Sequence, residues 1–104
     1  MAHTVTAGDI FVTSWGYEQT NVEFYEVIRA TSKTAWLRRL ATEKEPFTFM
    51  SEEVMPKPGE YVGEEVLQRR FQSWANPDEP AVRINPVANA RLWDGTARYA
   101  SHYA

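Results

Sequence analysis

The sequence predicts a small, mainly β domain, and three observations carry that expectation. Pro and Gly punctuate the chain at Gly8, Gly16, Pro46, Pro56-Lys57-Pro58-Gly59, Asn76-Pro77-Asp78-Glu79-Pro80, Asn85-Pro86 and Asp94-Gly95. The segments between them are short, which suits strands better than helices. They are also rich in β-branched and aromatic residues, with four Trp, five Tyr and five Phe, the composition that packs on a pleated surface. Finally, several segments alternate apolar and polar side chains with the period of two that puts every second residue on one face. At 104 residues and 43% hydrophobic content, the chain is sized for one domain, 1–104, and too apolar for disorder.

The elements follow in order. Asp9 to Ser14 (Asp-Ile-Phe-Val-Thr-Ser) reads as the first strand. After a loop around Gly16, Val22 to Ala30 places Val22, Phe24, Ile28 and Ala30 on one face. Glu23, Tyr25, Val27 and Arg29 fall on the other, and Glu26 interrupts the apolar face. Thr31-Ser32-Lys33 then leads into Thr34 to Leu40 as the partner strand of a hairpin, with Trp36 and Leu40 on one side and Leu37 on the other. Phe47-Thr48-Phe49 and Ala81 to Ile84 are further short strands. Glu64 to Trp74 fits two patterns. Leu67, Phe71 and Trp74 recur at i, i+4, i+7 and Glu65 precedes Arg69 by four, as in a helix. With period two, Glu65, Leu67, Arg69 and Phe71 share a face, and the neighbouring composition favours this strand. Ala90 to Trp93, Asp94-Gly95 and Thr96 to Tyr99 predict a two-residue hairpin, because Asp-Gly suits the positive φ angles of a type I′ turn. That pairing sets Arg91 opposite Arg98, which repel unless an anion lies between them. The sum is a small antiparallel, SH3-like barrel or strongly bent sheet with a C-terminal β-hairpin and at most one short helix. Such a fold implies no function by itself.

Composition narrows the function classes. Eleven basic and fourteen acidic residues give a charge of −3, so generic coating of nucleic acid is disfavoured. The absence of cysteine excludes disulfides, thiolate metal sites and cysteine nucleophiles. The two histidines, His3 and His102, are far apart, and no Asp-x-Asp-x-Asp loop exists, so no metal or other cofactor is expected. No Gly-x-Ser-x-Gly or Ser-x-x-Lys motif surrounds any serine. The pairs Glu52-Glu53 and Glu64-Glu65 would point to opposite faces of a strand. The expectation is therefore not an enzyme. The longest uncharged apolar-rich run, Ile10 to Tyr17, is far short of a membrane span. The N-terminus lacks a basic region followed by an apolar stretch. A cytoplasmic protein without a membrane partner is expected, and its oligomeric state stays open.

Two aromatic and polar blocks are the candidate binding residues. The first holds Trp15, Tyr17, Gln19 and Asn21, where two large rings stand among directional hydrogen-bonding groups, the combination enriched at interaction hot spots. The second holds Trp93, Arg98 and Tyr99, with His102 and Tyr103 beyond. The plainer use of each ring is packing, with Trp15 capping one end of a barrel. The pairs Arg38-Arg39 and Arg69-Arg70 lie on ordered segments and could contact phosphates, with aromatics stacking on bases. Alternatively, they pair with Glu23, Glu26, Glu64 and Glu65 on neighbouring strands.

The blocks Gly8-Asp9-Ile10-Phe11 and Ser14-Trp15-Gly16-Tyr17-Glu18-Gln19-Thr20-Asn21-Val22-Glu23-Phe24-Tyr25-Glu26-Val27 resemble a group of small uncharacterised proteins encoded by bacteriophages and mobile elements. The same group often ends in a segment like Ala88-Asn89-Ala90-Arg91-Leu92-Trp93-Asp94-Gly95 followed by a Tyr-containing strand, here with Tyr99 and Tyr103. The likeness covers about half of the chain and leaves Thr42 to Pro80 unmatched. It carries over no activity and no residue role. What it implies is a bacterial-cell setting and an accessory task, such as blocking a host defence complex. The first expectation is therefore a non-catalytic binding protein that inhibits or modulates a bacterial host protein or complex by steric and acidic-surface contacts. The alternative is an RNA or single-stranded DNA binding module.

Overall fold

A computed structural model describes residues 4–15, 21–48, 51–73, 79–85, 88–96 and 98–101. Eight strands run in chain order: β1 (Ile10–Trp15), β2 (Asn21–Ala30), β3 (Thr34–Thr48), β4 (Ser51–Tyr61), β5 (Leu67–Arg70), β6 (Ala81–Asn85), β7 (Ala88–Leu92) and β8 (Arg98–Ser101). No helix occurs among the described residues. The strands pair antiparallel in the order β6-β7-β1-β2-β3-β4-β8, and β5 pairs with β3 off this path. The long β3 serves two neighbours in succession: Thr34 to Leu37 pair with β5, and Leu40 to Thr48 pair with β4. Beyond β5, a single bridge, Phe71↔Val82, and a bond from the Gln72 N–H to the Ala81 carbonyl (2.8 Å) reach β6. The sheet therefore curls strongly, and one bridge in place of a ladder leaves it bent, not closed. This is the mainly β fold that the sequence predicts, in its bent-sheet form.

The local chemistry explains most of the boundaries. The β2–β3 hairpin turns at Thr31, whose N–H donates to the Thr34 carbonyl and whose Oγ1 accepts from the Lys33 and Thr34 N–H groups. Residues 64–74 contribute a strand, as the composition favours, with Leu67 and Arg69 on the more buried face. Pro56-Lys57-Pro58-Gly59 does not end a strand. The pairs Leu40↔Tyr61 and Thr42↔Pro56 leave Lys57 to Glu60 bulging opposite Ala41 alone, and Gly59 (φ 79°) takes the left-handed turn. A second bulge between Val27 and Arg29 disturbs the alternation of β2. As a result Ile28, expected beside Phe24, is instead 37% exposed.

The hairpin expected at Asp94-Gly95 does not form. β7 pairs with β6 and β1, whereas β8 pairs with β4. Arg91 consequently lies opposite Val12 and Ala81, and Arg98 opposite Val54, so the two guanidiniums never face each other. Asp94 Oδ1 accepts bonds from the Thr96 hydroxyl (2.6 Å) and N–H (3.0 Å), and Trp93 Nε1 donates to the Thr96 carbonyl (2.7 Å). Those two bonds hold the Asp94 carboxyl below its ordinary range. With Gly95 at φ 89°, this turn lies where the chain leaves β7 for β8, at the far end of the strand order. The crossing also buries part of Trp93, edge-on to Phe24 at 5.6 Å. The hairpin of this region is β6–β7, one strand earlier.

Two hydrophobic clusters occupy the two faces of the central strands. Phe11, Tyr25, Val27, Ala35, Leu37, Val82, Ile84 and Ala90 fill the inside of the bend. Val12, Phe24, Leu40 and Val54 form the other, with Ile10, Val22, Tyr61 and Trp93 packed against them. β1 alternates Phe11 inward and Val12 outward, so both of its faces carry a buried residue at that point. Of the other aromatics on the expected strands, Trp36 is half-buried with the Arg29 guanidinium over its ring at 4.7 Å, and Phe71 packs against the inner cluster. Phe49 and the Phe47 side chain lie outside the described residues.

Candidate functional site

A cleft of about 330 Å³ opens at one end of the inner face. β2 and β3 supply Tyr25 and Arg39, which are direct register partners. β5 supplies Leu67 and Arg69, β6 supplies Ile84, and the segment between β4 and β5 adds Val62 and Glu65. That segment is tied down from two sides. The Val62 N–H donates to the Arg39 carbonyl (2.8 Å). On the opposite face, Arg38 stacks over the Tyr61 ring (4.2 Å) and donates to the Gly63 carbonyl (2.6 Å). Glu26, which interrupts an apolar face in the sequence, accepts from the Tyr61 hydroxyl (3.1 Å) and the Gly59 N–H (2.9 Å). The misplaced charge is a fastening point for the end of β4.

Inside the cleft, the charges divide into a satisfied group and an unsatisfied one. The Tyr25 hydroxyl donates to Glu23 Oε2 (2.9 Å), and Arg39 Nη2 lies 3.3 Å from Glu23 Oε1. One carboxylate thereby serves a phenol and a guanidinium at once. Arg69 instead donates Nη1–H to the Gln68 carbonyl (3.0 Å) and Nη2–H to the Ile84 carbonyl (3.2 Å). Among the described residues no carboxylate lies within ion-pair distance of it. Thr13, the register partner of Glu23, is 2% exposed, and its Oγ1 has no hydrogen-bond partner among the described residues.

Burial, then the bond to Glu23, pushes the Tyr25 hydroxyl well above its ordinary pKa of 10.0. A raised value in the fold contributes stability below pH 10 that is lost as pH rises, since the unfolded chain ionises first. Tyr25→Phe is therefore expected to flatten the alkaline limb of a denaturation profile between about pH 9 and 11.5. An unchanged alkaline limb in the variant would remove this account.

The structure distributes the sequence candidates unevenly. Arg39 and Arg69 converge on the cleft, Arg38 lies on the opposite face, and Arg70 is exposed opposite Thr34. The Arg39–Glu23 contact is one of the ion pairs the sequence offers. Trp15 and Asn21 are register partners that end the β1–β2 ladder, two positions beyond Thr13↔Glu23. Tyr17 and Gln19 lie outside the described residues, and Trp15 and Tyr99 are placed by backbone pairing alone. Trp93 sits beside Ile10, to whose carbonyl its N–H donates (2.8 Å). Along β1, Ile10 is five residues from Trp15, roughly 17 Å of strand. Arg98 contacts Asp94 at 3.4 Å. Sequence reasoning missed Tyr25, Val62, Glu65 and Ile84 as cleft residues. The signal for two of them was present: Glu65 shares a face with Leu67 and Arg69 in the strand pattern, and Tyr25 shares one with Glu23.

These features define an all-antiparallel β protein with a charge-lined cleft at one end of a bent sheet. Set against protein-family models, curated proteins and solved structures, the chain matches none of them. No helix of the described residues is long and apolar enough to cross a membrane.

Proposed function

We propose that this is a non-catalytic binding protein that acts on a bacterial host protein or complex, the accessory task implied by the resemblance to phage and mobile-element proteins. One observation carries the reading. The β1–β2 ladder continues in register to Trp15↔Asn21, so the aromatic and polar block begins and ends on one strand pair. Trp and Tyr offer large contact area at low entropic cost, and the block sets both among hydrogen-bonding residues. The chemistry of the cleft supports holding over reacting, since its phenol is committed to Glu23. Dispersal of Arg38, Arg39, Arg69 and Arg70 over two faces favours a protein partner over a nucleic-acid strand, which needs a continuous basic track.

The test uses immobilised protein in nuclease-treated bacterial lysate. Wild type is expected to retain a partner that Trp15→Ala with Tyr17→Ala loses at least about tenfold, a change equal to about 1.4 kcal/mol. Thermal midpoints of the two proteins should agree. Equal capture by both overturns the reading. Binding of a single-stranded oligonucleotide that weakens steeply with added salt would replace it with the nucleic-acid alternative.

A further inference from the structure

We propose that the cleft is a binding site for a small zwitterion with a short aliphatic body, the chemical class of free aliphatic amino acids. The lining of the cleft shares no residue with the Trp15 block, and this inference stands independently of the partner reading. Four charged side chains bear on the cleft, and two of them, Glu23 and Arg39, satisfy each other. Arg69 and Glu65 are left. Were this segment helical, residues four apart would meet as an i, i+4 pair. Here Arg69 lies within β5, whereas Glu65 lies outside it, two residues before the strand begins at Leu67. No ion pair joins Glu65 and Arg69, and none joins either to another described residue. The cleft thus holds one positive and one negative group that the fold keeps apart.

The Arg69 guanidinium is oriented without being neutralised. Two backbone carbonyls fix Nη1 and Nη2, yet a guanidinium has five N–H donors. A carbonyl carries no net charge, so a half-buried cation remains to be paired. A carboxylate supplies that pairing with charge-assisted bonds. Glu65, exposed at the rim, is placed to accept an ammonium. Val62, Leu67 and Ile84 complete the lining with apolar surface for the aliphatic body. A volume of about 330 Å³ sits at the small end of ligand sites and fits a molecule of one residue's size. The ties from Val62 to Arg39 and from Gly63 to Arg38 hold the rim in place before any ligand arrives.

The experiment titrates L-leucine, 3-methylbutanoate and 3-methylbutylamine into the full chain, following the methyl resonances of Leu67 and Ile84. L-Leucine is expected to shift both saturably, and each singly charged analogue to bind at least about tenfold more weakly. Glu65→Gln and Arg69→Gln should each weaken leucine binding by a similar factor. Glu65 is exposed and its side chain makes no hydrogen bond or ion pair among the described residues, so its variant stays folded and keeps the test decisive. Trp15→Ala with Tyr17→Ala should leave leucine binding unchanged, which separates this site from the partner surface. No saturable shift at tens of millimolar leucine overturns the proposal. Equal binding of 3-methylbutanoate also overturns it, by making the cleft a plain anion site, as does full leucine affinity in Glu65→Gln.

Discussion

Phe24→Ala is expected to cost about 3–5 kcal/mol, measured by chemical denaturation, because it empties the centre of a fully buried cluster. Phe24 sits where Val12 of β1, Leu40 of β3 and Val54 of β4 meet. The backbone around it belongs to two ladders and has little room to collapse. Its loss also removes the surface against which Trp93 packs edge-on. A double-mutant cycle with Trp93→Ala is expected to give a coupling of about 0.5–1.5 kcal/mol. Hydrogen exchange gives the sharper readout. Among the described residues β8 pairs with β4 and no other strand, and the outer cluster fastens that layer over the central strands. Its amides and those of β4 should lose protection before those of β1 and β2 do. A cost below about 1 kcal/mol would mean that the outer layer closes over the gap and that the cluster is not the fastening.

Phe11→Ala is expected to cost as much, about 3–5 kcal/mol, but with a different pattern. Phe11 is fully buried, faces the inside of the bend and is the register partner of both Tyr25 and Leu92. The neighbouring inner residues Ala35 and Ala90 are too small to fill the space that its ring leaves. A cavity should persist, which places the cost toward the upper end of the range. Since β1, β2, β3, β5, β6 and β7 all depend on this interior, protection should fall across all of them together. Domains of this size are stable by only about 5–15 kcal/mol, so either substitution removes a large share. Matching exchange patterns for the two variants would show that the clusters melt as one unit, contrary to the two-layer account.

Much of this architecture is legible in the residues. The short segments between Pro and Gly, the β-branched content of 10–15 and the alternation within 21–30 each specify extended chain locally, and extended chain is what forms. The β2–β3 hairpin is legible for the same reason: Thr31 carries its own turn chemistry within three residues. What misleads is Asp94-Gly95. The dipeptide is a sound local signal for reversal, and Gly95 does adopt positive φ, yet Trp93 finds a better burial site across the sheet than a hairpin would give it. Two guanidiniums would also have faced each other in that hairpin. The bulges at Val27–Arg29 and at Lys57 to Glu60 are invisible beforehand, because they satisfy partners more than thirty residues away, as when Glu26 accepts from Gly59 and Tyr61.

The candidate site divides along the same line. Residue types and their spacing established a β scaffold, a surplus of aromatics and arginines placed on strands, since each depends on neighbours within a few positions. The cleft required contacts between Tyr25, Arg39, Arg69 and Ile84, which lie on four different strands. Which of the arginines is neutralised is a matter of distance through space: Glu23 reaches Arg39, and nothing described reaches Arg69. Local pattern sets the direction in which a side chain points, whereas partner choice follows from how the sheet bends. That is why the fold class was readable along the chain and the cleft was not.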